Sequence, residues 1–258
     1  LVMKVGSLQE NDQQKGGAHF LEHMSFSGTK HFPQDAWVDY FERLGMKYGR
    51  DINAFTGFDR TIYWLSLPVA DFGTQVMDST LLAVRDILDG VSFEPQLVEQ
   101  ERGVIKEELR GYSTGDDFYN LKIGDGRYIQ RMPLGTEQDI ETISRNQLLN
   151  YYHQWYLPQN ACLVVVGNVD AQDMQKRIQD TFSSIAKGQP TPLGKYPLTY
   201  KKGITLHEVK DTVGTSSKLE FIIPHEGVVG NTIASTALKE QYRLLIAAIS
   251  KRLAARGI

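Results

Sequence analysis

The run His19-Phe20-Leu21-Glu22-His23 sets two imidazoles four residues apart, so on a helix both project from one face, close enough to share a metal ion. Glu22 precedes the second imidazole and borders the same face. There its carboxylate can act as general base on a zinc-bound water without being a ligand itself. Two imidazoles, a carboxylate and one open position describe a catalytic zinc site, so the expected cofactor is one Zn2+ per chain. The ion lowers the pKa of the water toward about 7, and Glu22 completes the deprotonation. Histidines at i and i+4 also occur on solvated helix faces. The glutamate in the fourth place and the flexible Gly16-Gly17 entry set this run apart as the inverted zinc-binding pattern H-x-x-E-H.

A third protein ligand is still needed, and the best source is the acidic stretch Glu101-Arg102-Gly103-Val104-Ile105-Lys106-Glu107-Glu108. Seven residues are nearly two helical turns, so Glu101 and Glu108 lie about 20° apart on one face. Val104 and Ile105 fall between them, and both carboxylates are expected to look inward over an apolar stripe. A buried carboxylate pair needs a cation, which the metal supplies. Glu107, about 100° away, is expected to be solvated.

These groups need a scaffold, and the hydrophobic periodicity supplies one. Residues 16–30 are helix-compatible, with apolar side chains at 20, 21, 24 and 26. Pro33 opens a helix over 34–44 that ends at Gly45. Segments 53–56 and 61–67 form a hairpin about a turn at 56–59, and helices follow over 71–89 and from 94 to about 112. Residues 113–136 read as loop and short irregular helix. A helix over 140–156, a buried strand over 161–167 and a helix over 171–185 complete the pattern. Residues 187–203 hold Pro190, Pro192 and Pro197 among glycines and lysines, which is linker composition. Strands over 204–209 and 218–223 and a helix over 231–255 then begin the pattern again. The expected class is α+β, a sheet packed against helices. Residues 1–190 form the metal-bearing domain, 191–203 a linker, and 204–258 the truncated start of a second similar domain.

Of the 258 residues 41% are hydrophobic and 23% charged, with a net charge of -3, so no basic face exists to neutralise phosphates and nucleic acid is not an expected partner. No apolar run approaches the roughly 20 residues of a membrane span. The single Cys162 cannot form an internal disulfide, and its apolar neighbours predict a core position. His31, His153, His207 and His225 lack ligand spacing and read as structural or surface residues, while Tyr151, Tyr152, Trp155 and Tyr156 read as core packing. The first residues read like the inside of a strand, and the last ones stop where a helix cap would be expected, so the chain is read as a fragment cut at both ends.

Taken in order, several motifs resemble the pitrilysin/insulinase family of zinc peptidases, and within it the bacterial members related to the mitochondrial processing peptidase. They are Gly16-Gly17-Ala18-His19-Phe20-Leu21-Glu22-His23-Met24, Gly28-Thr29-Lys30, Asn53-Ala54-Phe55-Thr56, the Glu101/Glu108 pair, Pro133-Leu134-Gly135, and Trp155-Tyr156 with Gly167-Asn168-Val169-Asp170. The interval from His23 to Glu108 is slightly longer than in the best-known members, and extra residues near Tyr48-Gly49-Arg50-Asp51 account for it. The resemblance implies that Glu108 is the third ligand and that Glu101 orients the site without binding metal. It also implies that Asn53, Ala54, Phe55 and Thr56 form an edge strand that takes substrate as an added strand.

By the same resemblance the chain is a zinc-dependent endopeptidase acting on extended or unfolded peptides inside a clamshell of two halves. The C-terminal half, on the same chain or on a partner subunit, would bring an Arg and a Tyr to the substrate. Without it this chain is expected to bind zinc but to hydrolyse peptides weakly or not at all. A bacterial periplasm or cell envelope is the implied location. The alternative within the same fold is a non-catalytic scaffold or partner subunit, though such subunits usually lose part of the motif. A metal-storage or metal-sensing module is the third reading, and it would not need Glu22.

Overall fold

A computed structural model describes residues 1–34, 36–73, 75–111, 126–189, 191–200 and 232–256, with positions 203, 204, 206, 208, 222 and 230. Two units divide the chain, Leu1–Thr212 and Val213–Ile258. In the first, the helix carrying the histidines, α1 (Gly17–Ser27), is buried at every residue except His23. Gly16 makes its entry possible. It sits at φ +77, and a Cβ there would lie 2.6 Å from Ile140 Cδ1 and 3.2 Å from the Leu134 carbonyl, so both the backbone conformation and the space demand glycine.

Around α1 the other elements of the first unit close one large core, beside a small second cluster of Met77, Leu81 and Met174. Helix α2 (Ala36–Arg43) buries Trp37 and Phe41, one turn apart. The hairpin of β2 (Ile52–Thr56) and β3 (Thr61–Leu65) pairs Asn53 with Trp64 and Phe55 with Ile62. Strands β1 (Val2–Met3) and β4 (Ala161–Cys162) complete an antiparallel sheet in the order β2-β3-β1-β4, which leaves β2 and β4 on the edges. Helices α3 (Val69–Phe72), α4 (Gln75–Asp89) and α5 (Pro95–Gly111) follow, the last with proline in its first turn where a missing N–H costs nothing. Then come α6 (Arg127–Gln130), α7 (Glu137–Thr142), α8 (Arg145–Trp155) and α9 (Ala171–Phe182). Helix α1 packs against α5, α8 and β2, so the expected sheet-on-helices architecture holds. In the second unit α10 (Ile233–Ala254) is capped by Thr232, whose hydroxyl accepts from the Ser235 amide. Among the described residues no helix is long and apolar enough to cross a membrane.

Several boundaries differ from the periodicity reading. The helix expected over 71–89 breaks at Gly73, which sits at φ +66, and restarts at Gln75. The one expected over 140–156 is two helices, because Ser144 is extended and caps α8: it accepts from the Gln147 amide while its own amide donates to the Gln147 side chain. The buried strand expected over 161–167 is only two residues long, and Cys162 is exposed rather than core. Its partner β1 offers just two residues, so beyond Cys162 the apolar run has nothing to pair with, and Val166 is 91% exposed. The strands expected over 204–209 and 218–223 fall, apart from isolated positions, outside the described residues, as does 112–125.

On α5 the inward face is narrower than the sequence pattern implied. Val98 and Ile105 are buried, but Val104 is 47% exposed. Val104 lies about 100° around the helix from Ile105, which takes it off the face that Val98 and Ile105 define. Replacing the fully buried Ile105 with Ala is therefore expected to cost about 2–5 kcal/mol of stability in urea unfolding, whereas Val104→Ala should stay within about 0.5 kcal/mol. Equal losses at the two positions would contradict this orientation of α5.

Candidate metal centre

Helices α1 and α5 face each other with all the candidate ligands between them. His19 Nε2 lies 3.6 Å and His23 Nε2 3.3 Å from the same oxygen, Oε2 of Glu108. One ligand atom from each of these three residues lies within 4.8 Å of the others, and the two imidazole rings stand 4.7 Å apart at 73°. The spacing suits a small divalent ion that takes nitrogen and oxygen ligands. Glu101, two turns earlier on α5, meets the other nitrogen of the same ring. His23 Nδ1 lies 3.1 Å from Glu101 Oε2, and the Ser27 hydroxyl donates to Glu101 Oε1 at 2.7 Å. With Nδ1 engaged by Glu101, Nε2 of His23 faces the ligand position, where a metal ion would take the place of its proton.

Burial and charge set distinct protonation preferences on these groups. Burial, reinforced by the nearby charge of His23, lowers His19 to about 4, so its imidazole is neutral and able to ligate. Against the desolvation it also suffers, His23 is pushed up to about 9 by Glu101 and Glu108. Glu108 is held below the usual carboxylate range, chiefly by its hydrogen bond with His23. Glu101 is also lowered, since its bonds to His23 and Ser27 outweigh its burial. Glu22 moves the other way: burial raises it, and the hydrogen bond donated by the Thr56 hydroxyl only partly offsets that. A buried carboxylate with a raised pKa beside a metal position is a suitable proton acceptor.

The centre opens on a cavity of about 880 Å³ whose walls include Lys15, Tyr48, Phe55, Phe58, Met132 and Leu134. Asn53, Ala54, Phe55 and Thr56 all line it from the edge strand β2, and Phe55 is 55% exposed. All nine residues singled out from the sequence thus meet at one place. Glu107 faces away and pairs with Arg110. His31 lies apart against the buried Asp86, 2.7 Å from Nδ1 to Oδ1, and His153 is exposed, while His207 and His225 fall outside the described residues. Tyr151, Tyr152, Trp155 and Tyr156 are buried in the core as read.

Three contributors escaped the sequence reading. Ser27 follows His23 by one turn, a spacing that could have flagged it. Glu10 is fully buried and caps α1, accepting from the Ala18 amide at 2.9 Å and the Gly16 amide at 3.2 Å; nothing in its spacing marks it. Tyr48 reaches the cavity from a turn and carried no signal beyond the extra residues around it.

The chain matches two family models, Insulinase (Peptidase family M16) over residues 1–118 and Peptidase M16 inactive domain over residues 142–240. It is similar to a probable zinc protease PqqL of Haemophilus influenzae, 33% identical over 262 residues that cover 98% of this chain and 27% of that protein. Among solved structures it is similar to the periplasmic protease PqqL from Escherichia coli, with a TM-score of 0.72 and 32% identity over 77% of this chain and 22% of that one. A structure of the first half of that protease aligns equally well, with 43% of its length covered. The chain thus spans about a quarter of the length of the curated relative.

The charge pattern has a measurable consequence for protein stripped of metal by a chelator. His23 titrates in the fold at about 9 against an ordinary 6.5, so its contribution to stability is complete below pH 6.5 and is lost as the pH rises through about 9. Thermal melts of the stripped protein should accordingly fall across that window. Glu101→Gln, which removes one of the two carboxylates responsible, should flatten the fall; a wild-type melt independent of pH over this range would contradict the assignment.

Proposed function

Given that the chain belongs to the insulinase/pitrilysin family of peptidases, family M16, we propose that it is the metal-bearing part of a zinc-dependent endopeptidase acting on extended peptides. The observation that carries this reading is the convergence of His19, His23 and Glu108 on one point, with Glu22 on the same helix facing the same cavity. His19 and His23 would hold zinc through Nε2, with Glu108 supplying the carboxylate oxygen. Zinc, when bound, would supply the Lewis acidity that brings the pKa of a water toward about 7.

The protein's own groups do the rest. Glu22, made more basic by burial, accepts the proton of the attacking water and returns it to the leaving amine. The Thr56 hydroxyl fixes the orientation of that carboxylate from the end of β2. Glu101 and Ser27 hold the His23 ring, so Glu101 acts by positioning rather than by ligation. Strand β2 is a sheet edge along the cavity, and Asn53, Ala54, Phe55 and Thr56 offer an extended peptide a strand to pair with, which favours unfolded substrates.

Residues 1–190 form the metal-bearing domain in this reading, 191–203 a linker and 204–258 the start of a second domain. Efficient hydrolysis needs the C-terminal half of the clamshell, in cis or from a partner subunit. The periplasmic description of the similar Escherichia coli protease supports the same compartment here. A non-catalytic subunit or a metal store would have no use for Glu22 held beside the metal position by Thr56.

Zinc content and hydrolysis of an unstructured fluorogenic peptide, measured on the full-length protein, test the assignment. Glu22→Gln is expected to keep one zinc per chain while kcat falls on the order of 10²–10⁴-fold. Glu108→Gln should lose the metal and the activity together. Retained hydrolysis in Glu22→Gln would overturn the mechanism.

A further inference from the structure

Tyr48 stands in the wall of the metal cavity, in the turn that leads into β2, together with His19, Glu22, His23 and Glu108. The turn is held tightly. The Asp51 amide donates to the Lys47 carbonyl at 2.8 Å, the Lys47 amide to Asp51 Oδ2 at 2.9 Å, and the Asn53 side chain to the Gly49 carbonyl at 2.9 Å. The ring of Tyr48 lies edge-on against Phe26 at 5.5 Å and 83°, and Phe26 in turn stacks on the buried Trp37 at 5.0 Å. The ring is thus packed on one side against Phe26, while the residue stays 53% exposed.

Its hydroxyl is nevertheless uncommitted. Among the described residues lining the cavity, the Thr56 hydroxyl is given to Glu22 and the Thr136 hydroxyl to Asp139, whereas the Tyr48 hydroxyl has no hydrogen-bond partner. Partial burial and the charges of Glu22, Glu101 and Glu108 push its pKa up to about 12. It therefore stays protonated in neutral solution, where it is a donor, and it lies within the field of the site's own carboxylates. Tyr48 lines the same cavity as the β2 residues Asn53, Ala54, Phe55 and Thr56 and the ligand set.

We propose that Tyr48 is a further catalytic residue, donating its phenolic O–H to the oxygen of the scissile carbonyl as negative charge develops there. It transfers no proton and forms no bond; it stabilises the tetrahedral stage more than the bound substrate. The inference rests on the peptidase reading above and adds a donor from this half of the molecule.

The test uses full-length protein with Tyr48→Phe, which keeps the ring against Phe26 and removes only the hydroxyl. Three quantities are measured: zinc content, steady-state hydrolysis of an extended fluorogenic peptide, and the affinity of a phosphinic peptide that mimics the tetrahedral stage. The expected result is one zinc per chain, KM within about twofold of wild type, kcat lowered on the order of 10²-fold, and phosphinic affinity lowered in parallel. Unchanged kcat and phosphinic affinity would overturn the proposal, and so would a rise in KM alone, which would make Tyr48 a passive wall. A wild-type protein that neither binds zinc nor cleaves the peptide would instead overturn the underlying reading, and this inference with it.

Discussion

His19 and Glu22 sit on a helix enclosed by protein on nearly every side, and taking two ionisable groups out of water is the cost around which the rest of the site is arranged. An isolated buried carboxylate or imidazolium would neutralise itself. Here the groups are assigned opposite fates. His19 gives up its proton, Glu22 is anchored by a hydroxyl, and the carboxylates that stay ionised face His23, the one residue of α1 that is not fully buried. The separation leaves a neutral imidazole at His19, an imidazolium at His23 and an ionised carboxylate at Glu108 converging on a point. A divalent ion bound there would displace the His23 proton and balance the carboxylates in its place.

Enclosure also explains how α1 begins. A helix entering the core cannot leave its first amides to solvent, and Gly16 has no side chain with which to cap them. Glu10 does this from outside the helix. Its own backbone carbonyl is gripped by Arg127 and Arg131, so the cap is tied to the elements that follow α5. The same close packing makes Gly16 obligatory, since Ile140 of α7 occupies the space a Cβ would need. The histidines are thus held from behind by a chain of contacts that touches neither ligand.

What the sequence made legible was what depends on local geometry. The i, i+4 histidines and the seven-residue glutamate pair need only the helical repeat to be recognised, and each stands on the helix expected for it. The hairpin of β2 and β3 was equally readable from its β-branched and aromatic alternation. The misreadings arose where a distant partner decides. The fate of 161–167 depends on β1, which supplies two residues, so a run of apolar residues suited to a buried strand lies largely exposed. Val104 and Ile105 look alike in sequence, and only the direction from which the core approaches α5 separates them. Glu10 and Tyr48 lie outside any periodic element, so their roles emerge only when the chain is folded around α1. The division of α7 from α8 was within reach: Ser144 and Gln147 have the capping-box spacing, and the periodicity reading passed over it.

The pairing of α1 with α5 also explains why two glutamates with nearly the same helical phase have different partners. Seven residues advance a helix by about 10.5 Å, so Glu101 and Glu108 approach His23 from different levels along α5. They meet opposite nitrogens of one ring, Glu101 at Nδ1 and Glu108 at Nε2. The Ser27 hydroxyl takes the other oxygen of Glu101, so each oxygen of that carboxylate has a partner on α1. Glu108, more exposed and at the cavity mouth, is the carboxylate that both imidazoles reach. The imidazole of His23 is in this way clamped between two carboxylates, and its rotation about the side chain would break both contacts. Two such contacts restrict the ring about its side-chain bonds, which is the support a site built to tolerances of about 0.5 Å needs.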